Sequence, residues 1–492
     1  MMLGLKDFKI IVRDLGLLLM LVGLTMSVPI VLSLIYPDSY GTFDDFAIIG
    51  ALMVAIGAAC YFSIGDSGEM SLKHAIALMV LFWPLAGLFS AIPLYTYGVA
   101  PTFLDAYFEG LSGWTTTGLT TIGVNADSFP HSINMWRGML QYMGGLGVIL
   151  ISIVVLAQAR TGSESISLVA SEFAPGERIR PGIWSTAKIL VTLFLSFLFI
   201  CSLILLIAGM DLFDSIFYAM TGLGTGGFSA YSDSIAHFDS GIIEIATVIV
   251  MIIGSTNFAI HLTILSGNYR EILRNIETRT FIVFVTLFTT IGAIWLWSAT
   301  STSSGAALFD SFYHIVSGMT TTGWTIVPNG DMPAAFPAFF IFLITLCMIM
   351  GGNSVSTAGG IRQVRIALMI KSIWWHIRRT LSPRTVVFPR SYHHIVKKTV
   401  TDSRMMDIYM FVSIYLLTLL ISTLVLMAHG YNLDNSYFES ASALTSGGMS
   451  FGITSTAAED GVKIMLMIDM WVGRIEIIPV LMFFASFSRR FK

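Results

Sequence analysis

Apolar and polar positions alternate along this chain in a pattern of long and short segments that repeats four times. Each repeat predicts a leading helix long enough to cross a bilayer, a short helix, a loop rich in Gly and Thr, and a trailing apolar helix. Leading helices are predicted at about His74–Leu94, Ala187–Ala208, Arg279–Trp297 and Met406–Ala428. Trailing helices are predicted at about Ile133–Leu156, Ile242–Leu265, Ala335–Ile370 and Val462–Phe484. Two further apolar segments, near residues 15–36 and 48–64, precede the first repeat, so the pattern predicts ten spans.

The four loops share the same residue types at the same spacing. Each centres on a glycine with a hydroxyl side chain two residues before it and two residues after it, and the glycines are Gly118, Gly227, Gly323 and Gly448. A short polar residue stands thirteen residues before each glycine. We interpret these polar residues as N-caps of the short helices, namely Asp105, Asp214, Asp310 and Asn435. Because the copies are dispersed over more than 300 residues, they indicate a fourfold repeated unit and not low complexity.

The composition excludes an ordinary soluble protein. Of the 492 residues, 55% are hydrophobic and 12% are charged. Such a balance is typical of a polytopic membrane protein. The three cysteines, Cys60, Cys201 and Cys347, lie in apolar runs without metal-type spacing, so unpaired buried thiols are predicted.

Basic residues give the predicted spans a direction. They concentrate on the side of the membrane shared with the N-terminus, in the stretches 160–188, 270–279, 362–404 and 489–492. On the opposite side only Lys463 is found, while Arg137 and Arg474 lie inside trailing helices. Positive residues favour the cytoplasmic side, so both termini are predicted to be cytoplasmic and all four loops to enter from outside. Parallel units of this kind favour four quarters around one axis over the inverted repeats of many transporters.

Gly/Thr loops at membrane depth have a chemistry of their own. Their backbone carbonyls cannot remain unpaired in hydrocarbon, so they are expected to be buried in protein or to line a polar path. Four such loops on one axis supply a ring of oxygens that replaces the water shell of an alkali cation, and glycine permits the backbone angles that this requires. The short helices direct the negative ends of their dipoles towards the same place. The predicted cation site consists of Thr116, Thr117, Gly118, Thr225, Gly226, Gly227, Thr321, Thr322, Gly323, Ser446, Gly447 and Gly448.

Two trailing helices carry unusual residues. The third contains GGNSVSTAGG, residues 351–360, which cannot stay helical against lipid. It is expected to form an internal loop near the polar path, or a kink needed only for packing. The fourth contains Arg474, and a buried arginine within a span is costly and therefore usually functional. The alternative is a structural pair with Glu476 or with a loop carbonyl.

Four stretches of the sequence together carry a family resemblance: FEGLSGWTTTG at 108–118, WRGMLQYMGGLGV at 136–148, GGNSVSTAGG at 351–360 and MWVGRIEI at 470–477. They resemble the Trk/Ktr/HKT superfamily of potassium-uptake proteins, and the two extra N-terminal spans are similar to its TrkH-like branch. The resemblance implies an all-α polytopic membrane protein with two N-terminal helices and four parallel repeats of helix, pore loop and helix around a central pore. In this family a glycine in each loop goes with potassium selectivity, and all four glycines are present.

The same resemblance implies a function. It is the uptake of potassium ions through a four-loop selectivity filter in a bacterial inner membrane, by a homodimer that a cytosolic TrkA-like nucleotide-binding subunit regulates. Potassium is then the transported ion, and neither an organic cofactor on this chain nor a nucleic acid partner is expected. The resemblance makes Arg474 a positive charge beside the pore. It also implies an intramembrane gate formed by Gly351, Gly352, Asn353, Ser354, Gly359 and Gly360.

Other interpretations remain. A sodium- or proton-coupled potassium symporter stays open, because sequence does not reveal the driving force. An intramembrane enzyme is disfavoured because no HExxH motif, paired intramembrane carboxylates or Ser/His/Asp set is present. The glycines of GLGTGG, residues 222–227, have a dinucleotide-type spacing but open no helix. The basic stretch 376–404 is either a solvated loop or a docking surface for the partner or for membrane lipid.

The predicted organisation has two N-terminal helices at 1–71 and four pore repeats at 72–160, 185–268, 278–375 and 405–492. A cytoplasmic basic loop at 376–404 separates the third and fourth repeats, and it is too short for a nucleotide-binding fold of its own.

Overall fold

The structure, a computed structural model, describes residues 4–65, 68, 70–159, 183–300, 302–327, 331–383 and 390–487. Within these residues six helices are long and apolar enough to cross a membrane, or seven if one bent pair counts as a single span. The basic residues predicted to be cytoplasmic at 160–180 and 489–492 lie outside them. The number of ten spans therefore stays a prediction. The three cysteines are free thiols, but only Cys201 and Cys347 are buried as predicted, whereas Cys60 is half-buried.

Two closely packed helical segments precede the repeats. Their bounds are Leu5–Thr25 continued by Ser27–Ile35, a 3-10 helix at Pro37–Thr42, and Phe43–Ile64. Glycines allow the two backbones to approach, since a Cβ added to Gly57 would lie 2.4 Å from the backbone oxygen of Gly16. Small residues at such a crossing are typical of helix pairs in membranes, where close packing supplies the attraction.

Four units with the same order of elements follow, numbered 1 to 4 along the chain. Their leading helices are Leu72–Tyr97, Ile183–Ala208, Ile276–Ala299 and Asp402–Ala428. Their short helices are Phe103–Trp114, Leu212–Leu223, Ser304–Met319 and Leu433–Thr445. Their trailing helices are His131–Ala159, Gly241–Ser255 with Phe258–Leu265, Ala338–Met350 with Gln363–Thr380, and Asp460–Ile475 with Ile477–Phe487. Minor helices lie at Gly123–Ser128, Ser234–Phe238, Arg270–Arg274 and Met332–Ala335.

The units pack in a closed ring. Each trailing helix packs against the short helix of the next unit, and the trailing helix of unit 4 packs against the short helix of unit 1. The glycine that recurs in trailing helices 1, 2 and 4 makes room for its own unit's short helix. A Cβ added to Gly144 would lie 2.1 Å from the Trp114 oxygen, and one added to Gly473 would lie 1.9 Å from the Leu444 oxygen. The fold with four parallel repeats around one axis is therefore confirmed.

Three of the four trailing helices are broken, whereas the sequence predicts a break only in the third. The second bends by 102° between Ser255 and Phe258, where the Asn257 side chain accepts the N–H of Ala259 and caps the next helix. The fourth breaks at Glu476, whose φ is +69°. The predicted continuous helices at 242–265 and 462–484 are wrong because side chains at these two positions bind other units. A local signal existed only in the fourth, where a proline at 479 leaves the carbonyl of residue 475 without its helical donor.

The predicted N-caps of the short helices are wrong. The residues that begin these helices as N-caps are Thr102, Asp211, Ser303 and Asn432. The predicted residues lie inside the helices, and they are Asp105, Asp214, Asp310 and Asn435. In units 1 and 2 an oxygen three residues upstream accepts the N–H of the predicted residue, so the helix gains most of a turn. Two short polar residues at this spacing both suit a helix start, and only the upstream one has the extended backbone of a cap.

The segment at 376–404, predicted as a cytoplasmic loop, contains regular structure in its described residues. The second part of trailing helix 3 continues to Thr380, and an antiparallel hairpin follows with strands Ser391–His394 and Val396–Thr399. Ile395 turns the hairpin with a φ of +60°. Among the described residues this hairpin is the one departure from an all-α fold.

Candidate functional site

The four Gly/Thr loops meet around one axis in chain order. A Cβ added to each loop glycine would lie 1.8 to 2.7 Å from a backbone oxygen of the next loop, which pairs Gly118 with Gly226, Gly227 with Thr322, Gly323 with Gly447 and Gly448 with Thr117. No side chain fits at these distances, so glycine is required at all four positions. The fourth loop closes on the first, and the structure thus brings the predicted residues of all four loops together.

The backbone follows the same course in each loop. All four glycines have φ between +73° and +88°. The residues two before them have φ between +48° and +56°, and they are Thr116, Thr225, Thr321 and Ser446. The next residue donates its N–H back to the short helix, as Thr117 does to the Ser112 oxygen at 2.9 Å. Each short helix therefore ends in a Schellman-type turn with Thr or Ser where glycine is usual, and strain of this kind concentrates at functional sites.

Backbone oxygens from different units converge at the centre of the ring. The position of a Cβ on Gly448 lies 2.7 Å from the Thr117 oxygen, 3.2 Å from the Thr322 oxygen and 3.5 Å from the Gly226 oxygen. These three oxygens belong to units 1, 3 and 2, and both threonines are fully buried. A set of uncharged carbonyl oxygens suits an alkali cation that has lost its water shell.

A side chain nine residues before the loop glycine supports the end of the loop that follows the glycine, and this role was not predicted from the sequence. In units 1, 2 and 4 it contacts the hydroxyl two residues after the glycine at 2.7 to 2.8 Å, in the pairs Glu109 with Thr120, Tyr218 with Ser229 and Glu439 with Ser450. Unit 3 has His314 at this position. The signal was available, because the position is polar in every copy.

Two of the predicted cap residues make contacts between elements instead. The Asp105 carboxylate lies 2.7 Å from the Lys463 ammonium, which joins unit 1 to the trailing helix of unit 4. Asp214 accepts the Tyr231 hydroxyl at 2.9 Å in the segment that follows loop 2. Burial, with this carboxylate adjacent, raises the pKa of Tyr231, so the hydroxyl stays protonated and keeps donating. These aspartates therefore join short helices 1 and 2 to neighbouring parts of the ring.

The interrupted segment of unit 3, residues 351–360, lies against the carbonyl ends of the short helices. A Cβ added to Gly359 would lie 2.1 Å from the Thr445 oxygen, and the Gly359 N–H donates to the Thr321 hydroxyl at 2.8 Å. The Thr357 hydroxyl lies 2.8 Å from the Leu223 oxygen. The segment thus contacts units 2, 3 and 4 at the end of the ring that faces the negative, C-terminal ends of the short-helix dipoles.

The two ends of this segment approach each other, and its middle is fastened elsewhere. Gly351 and Gly360 have φ of +69° and +77°, and a Cβ on Gly360 would lie 2.7 Å from the Gly351 Cα. The Asn353 N–H donates to the backbone oxygen of Ser255 at 3.1 Å, at the bend of trailing helix 2. A Cβ on Gly352 would lie 2.5 Å from the Ala358 side chain, so the turn is tightly closed.

A buried carboxylate, Glu277, joins the interrupted segment to the hairpin at 391–399. One of its oxygens accepts the Ser354 N–H at 2.8 Å, and the other lies 2.9 Å from Nε2 of His394 in the first strand. Glu277 and His394 are 0% and 2% exposed. The sequence does not predict this link, because its partners stand 77 and 117 residues apart along the chain.

Arg474 contacts the same interrupted segment. It is 3% exposed, and its Nη1 donates to the Thr357 oxygen at 2.5 Å. Its Nε and Nη2 have no hydrogen-bond partner among the described residues. Glu476 pairs instead with Arg365 at 3.0 Å and with Arg362 at 3.5 Å. Of the two pairings considered from sequence, the one with a carbonyl is found and the one with Glu476 is not.

Comparison with known proteins agrees with this architecture over nearly the whole chain. Residues 44–490 match the TrkH family model, described as a cation transport protein. The chain is 30% identical over 481 residues to an uncharacterized cation transporter of Methanocaldococcus jannaschii, covering 98% of this chain and 96% of the relative. It is 31% identical over 489 residues to the Trk system potassium uptake protein TrkH of Escherichia coli, covering 97% and 98%. The crystal structure of the potassium transporter TrkH from Vibrio parahaemolyticus matches with a TM-score of 0.85 and 29% identity, covering 96% of this chain and 98% of that one.

Proposed function

Because this chain belongs to the TrkH family of cation transport proteins, we propose that it takes up potassium ions across a bacterial inner membrane through the ring of four loops. The observation that carries the proposal is the convergence of carbonyl oxygens from three units within 3.5 Å of one point. Oxygens of this kind replace the water shell of an alkali cation. The family and its named relatives are transporters, in agreement with the expectation that the chain is not an enzyme.

Selectivity for potassium is assigned to the backbone oxygens of the loops. Each loop glycine touches the oxygen before the glycine of the next unit, so the spacing of these oxygens depends on four positions without a side chain. No charged side chain contributes an oxygen to the convergent set, which favours a large, weakly hydrated ion over a divalent one.

The interrupted segment at 351–360 is proposed as the gate. Support comes from its contacts with the ends of short helices 2 and 4 and with loop 3, and from its glycines, which tolerate several backbone conformations. Arg474 adds a positive charge and holds the Thr357 carbonyl, so it opposes both the passage of a cation and the movement of the segment.

Regulation is proposed to reach this gate from the cytoplasm. The Escherichia coli relative is named as part of a Trk system, and for the present chain we extend this to a homodimer that binds a TrkA-like nucleotide-binding subunit. The path through His394 and Glu277 to Ser354 supports the idea, because movement of the hairpin changes a contact of the gate itself. Both termini are then cytoplasmic, on the same side as the hairpin.

Ion-coupled symport is the second candidate, and a buried carboxyl favours it. Asp469 in trailing helix 4 is 0% exposed, accepts a hydrogen bond from Ser422, and has one oxygen without a partner among the described residues. An ionisable group at such a depth is a candidate for proton coupling.

Flux measurements in proteoliposomes test both functions. We expect potassium flux to exceed sodium flux and to follow an imposed membrane potential without a proton or sodium gradient. Flux that requires one of these gradients would favour the coupled mechanism, and equal potassium and sodium flux would contradict the filter. The purified chain alone is expected to bind no nucleotide.

A further inference from the structure

The WRGMLQ stretch of trailing helix 1 holds two buried polar side chains that the proposed pore does not use. Arg137 and Gln141 are 1% and 0% exposed. They stand four residues apart and therefore project from the same face of the helix. Both contact loop 2, which belongs to the next unit.

Gln141 lies directly behind loop 2. Its Oε1 accepts the N–H of Phe228 at 3.0 Å, one residue after the loop glycine. A Cβ added to Gly226 would lie 2.3 Å from the Gln141 side-chain carbon, so the amide occupies the space that a side chain would need there. Its Nε2 has no hydrogen-bond partner among the described residues. The oxygen is therefore the half of the amide that acts on the loop.

Arg137 holds the same loop one residue further on. Its Nη1 donates to the backbone oxygen of Ser229 at 2.8 Å, and its guanidinium lies 4.5 Å from the centre of the Phe228 ring. Its Nε donates to Glu109 at 2.8 Å, which neutralises the charge. Glu109 also accepts the Thr120 hydroxyl beyond loop 1. This chain of contacts ties the outer ends of loops 1 and 2 to each other.

Loop 4, which like loop 2 has two consecutive glycines, lacks this arrangement. In trailing helix 3, Met348 stands three residues before Gly351, as Gln141 stands three residues before Gly144 in trailing helix 1. Its sulfur would lie 2.6 Å from a Cβ added to Gly447, so it fills the equivalent space behind loop 4. A thioether accepts hydrogen bonds only weakly. Filling the space is therefore common to both loops, whereas among the described residues a hydrogen bond from this position of a trailing helix to the loop backbone is found at loop 2 only.

We propose that Gln141, assisted by Arg137, is a positioning residue for cation selectivity, because it fixes the backbone of Phe228 and Ser229 and thereby the spacing of the Gly226 and Gly227 oxygens. This proposal rests on the proposed function, because it requires that the four loops select the ion. Without the Gln141 oxygen, the buried N–H of Phe228 has no acceptor, and the loop relaxes towards one.

The experiment measures the ratio of potassium to sodium flux in proteoliposomes, which does not depend on how much protein folds. Gln141→Met keeps the volume but removes the acceptor, and we expect the ratio to fall about five- to tenfold. Gln141→Glu keeps the acceptor and is expected to retain most of the ratio. Arg137→Lys keeps the charge next to Glu109 but cannot reach both partners, and it is expected to lower the ratio as well.

Controls separate this inference from the proposed function. Tyr142→Phe removes a buried hydroxyl without a partner among the described residues, one position along the same helix, and is expected to leave the ratio unchanged. Gly227→Ser tests the filter itself. If Gly227→Ser lowers the ratio while Gln141→Met does not, the inference on Gln141 is wrong and the filter stands. If neither lowers it, the filter proposal fails. A low flux ratio in Gln141→Glu together with a normal ratio in Gln141→Met would also overturn the inference. If Gln141→Met does not fold, Arg137→Lys takes its place, and a normal flux ratio in Arg137→Lys would overturn the inference.

Discussion

Replacing the glycine of loop 2 by serine tests the ring of oxygens most directly. A Cβ at Gly227 would lie 1.8 Å from the Thr322 oxygen. Carbon and oxygen atoms that are not bonded stay at least about 3 Å apart, so one loop must shift by roughly 1 Å to admit the side chain. The φ of +73° at Gly227 adds a backbone strain of about 1 to 2 kcal/mol for any residue with a Cβ. The displaced oxygen belongs to the convergent set, so the cost falls on the ion site.

We expect Gly227→Ser to lower the ratio of potassium to sodium flux about tenfold, which corresponds to about 1.4 kcal/mol of discrimination between the ions. The assay is paired flux in proteoliposomes, with folding checked by size-exclusion chromatography. Gly430→Ser is the matched control, because Gly430 has a φ of +92° and no atom within 4 Å of an added Cβ. The control carries the backbone strain without the collision and is expected to keep the ratio. A normal ratio in folded Gly227→Ser would refute the reasoning, and an equal fall in Gly430→Ser would assign the effect to strain in general.

Three further outcomes follow from the contacts described. Arg474→Ala is expected to raise potassium flux with little change in selectivity. A unit charge about 8 Å from a cation at an effective dielectric near 20 repels it by roughly 2 kcal/mol, which is about thirtyfold in rate. Arg474→Lys is expected to retain much of this barrier, and unaltered flux in folded Arg474→Ala would show that the residue does not act on the pore. Glu277→Ala is expected to raise the basal potassium flux several-fold, because Ser354 loses its acceptor. His393→Ala removes a contact with Glu271 outside the gate and is expected to leave the basal flux unchanged. Similar fluxes in both variants would argue against a link between the hairpin and the gate through Glu277. Cysteines at Asp127, Asp233 and Asp331 are expected to react with an impermeant reagent from outside and one at Arg390 only from inside, and labelling at Asp233 from the cytoplasm alone would contradict the parallel units.

Local sequence predicted much of the pore architecture. Loop glycines such as Gly118 and Gly323 were identifiable because a positive φ favours a residue without a side chain, and that preference belongs to the residue itself. The break in trailing helix 3 was predictable for the same reason, since four glycines and several small polar residues do not sustain a helix. The positions of the leading and short helices followed from length and apolar pattern.

Contacts between units could not be predicted in this way. Asn257 bends trailing helix 2 while it contacts Glu277 and Ser354, which come from two other elements. These deciding partners lie far away along the chain. The caps of short helices 1, 2 and 4 moved by three residues for a different reason, because two polar residues competed for each and the local pattern suited both.

Residue types and short-range spacing are enough to predict a membrane protein with four glycine-centred loops and the position of each loop, because these properties are local. The packed fold was needed to establish three other features, namely the order of the loops around the axis, the pairing of Arg474 with the Thr357 carbonyl, and the contact of Gln141 in unit 1 with loop 2. Those contacts join residues 117 and 87 positions apart. Such pairs are selected by the packing of whole helices against one another, and no local preference of the residues involved encodes them.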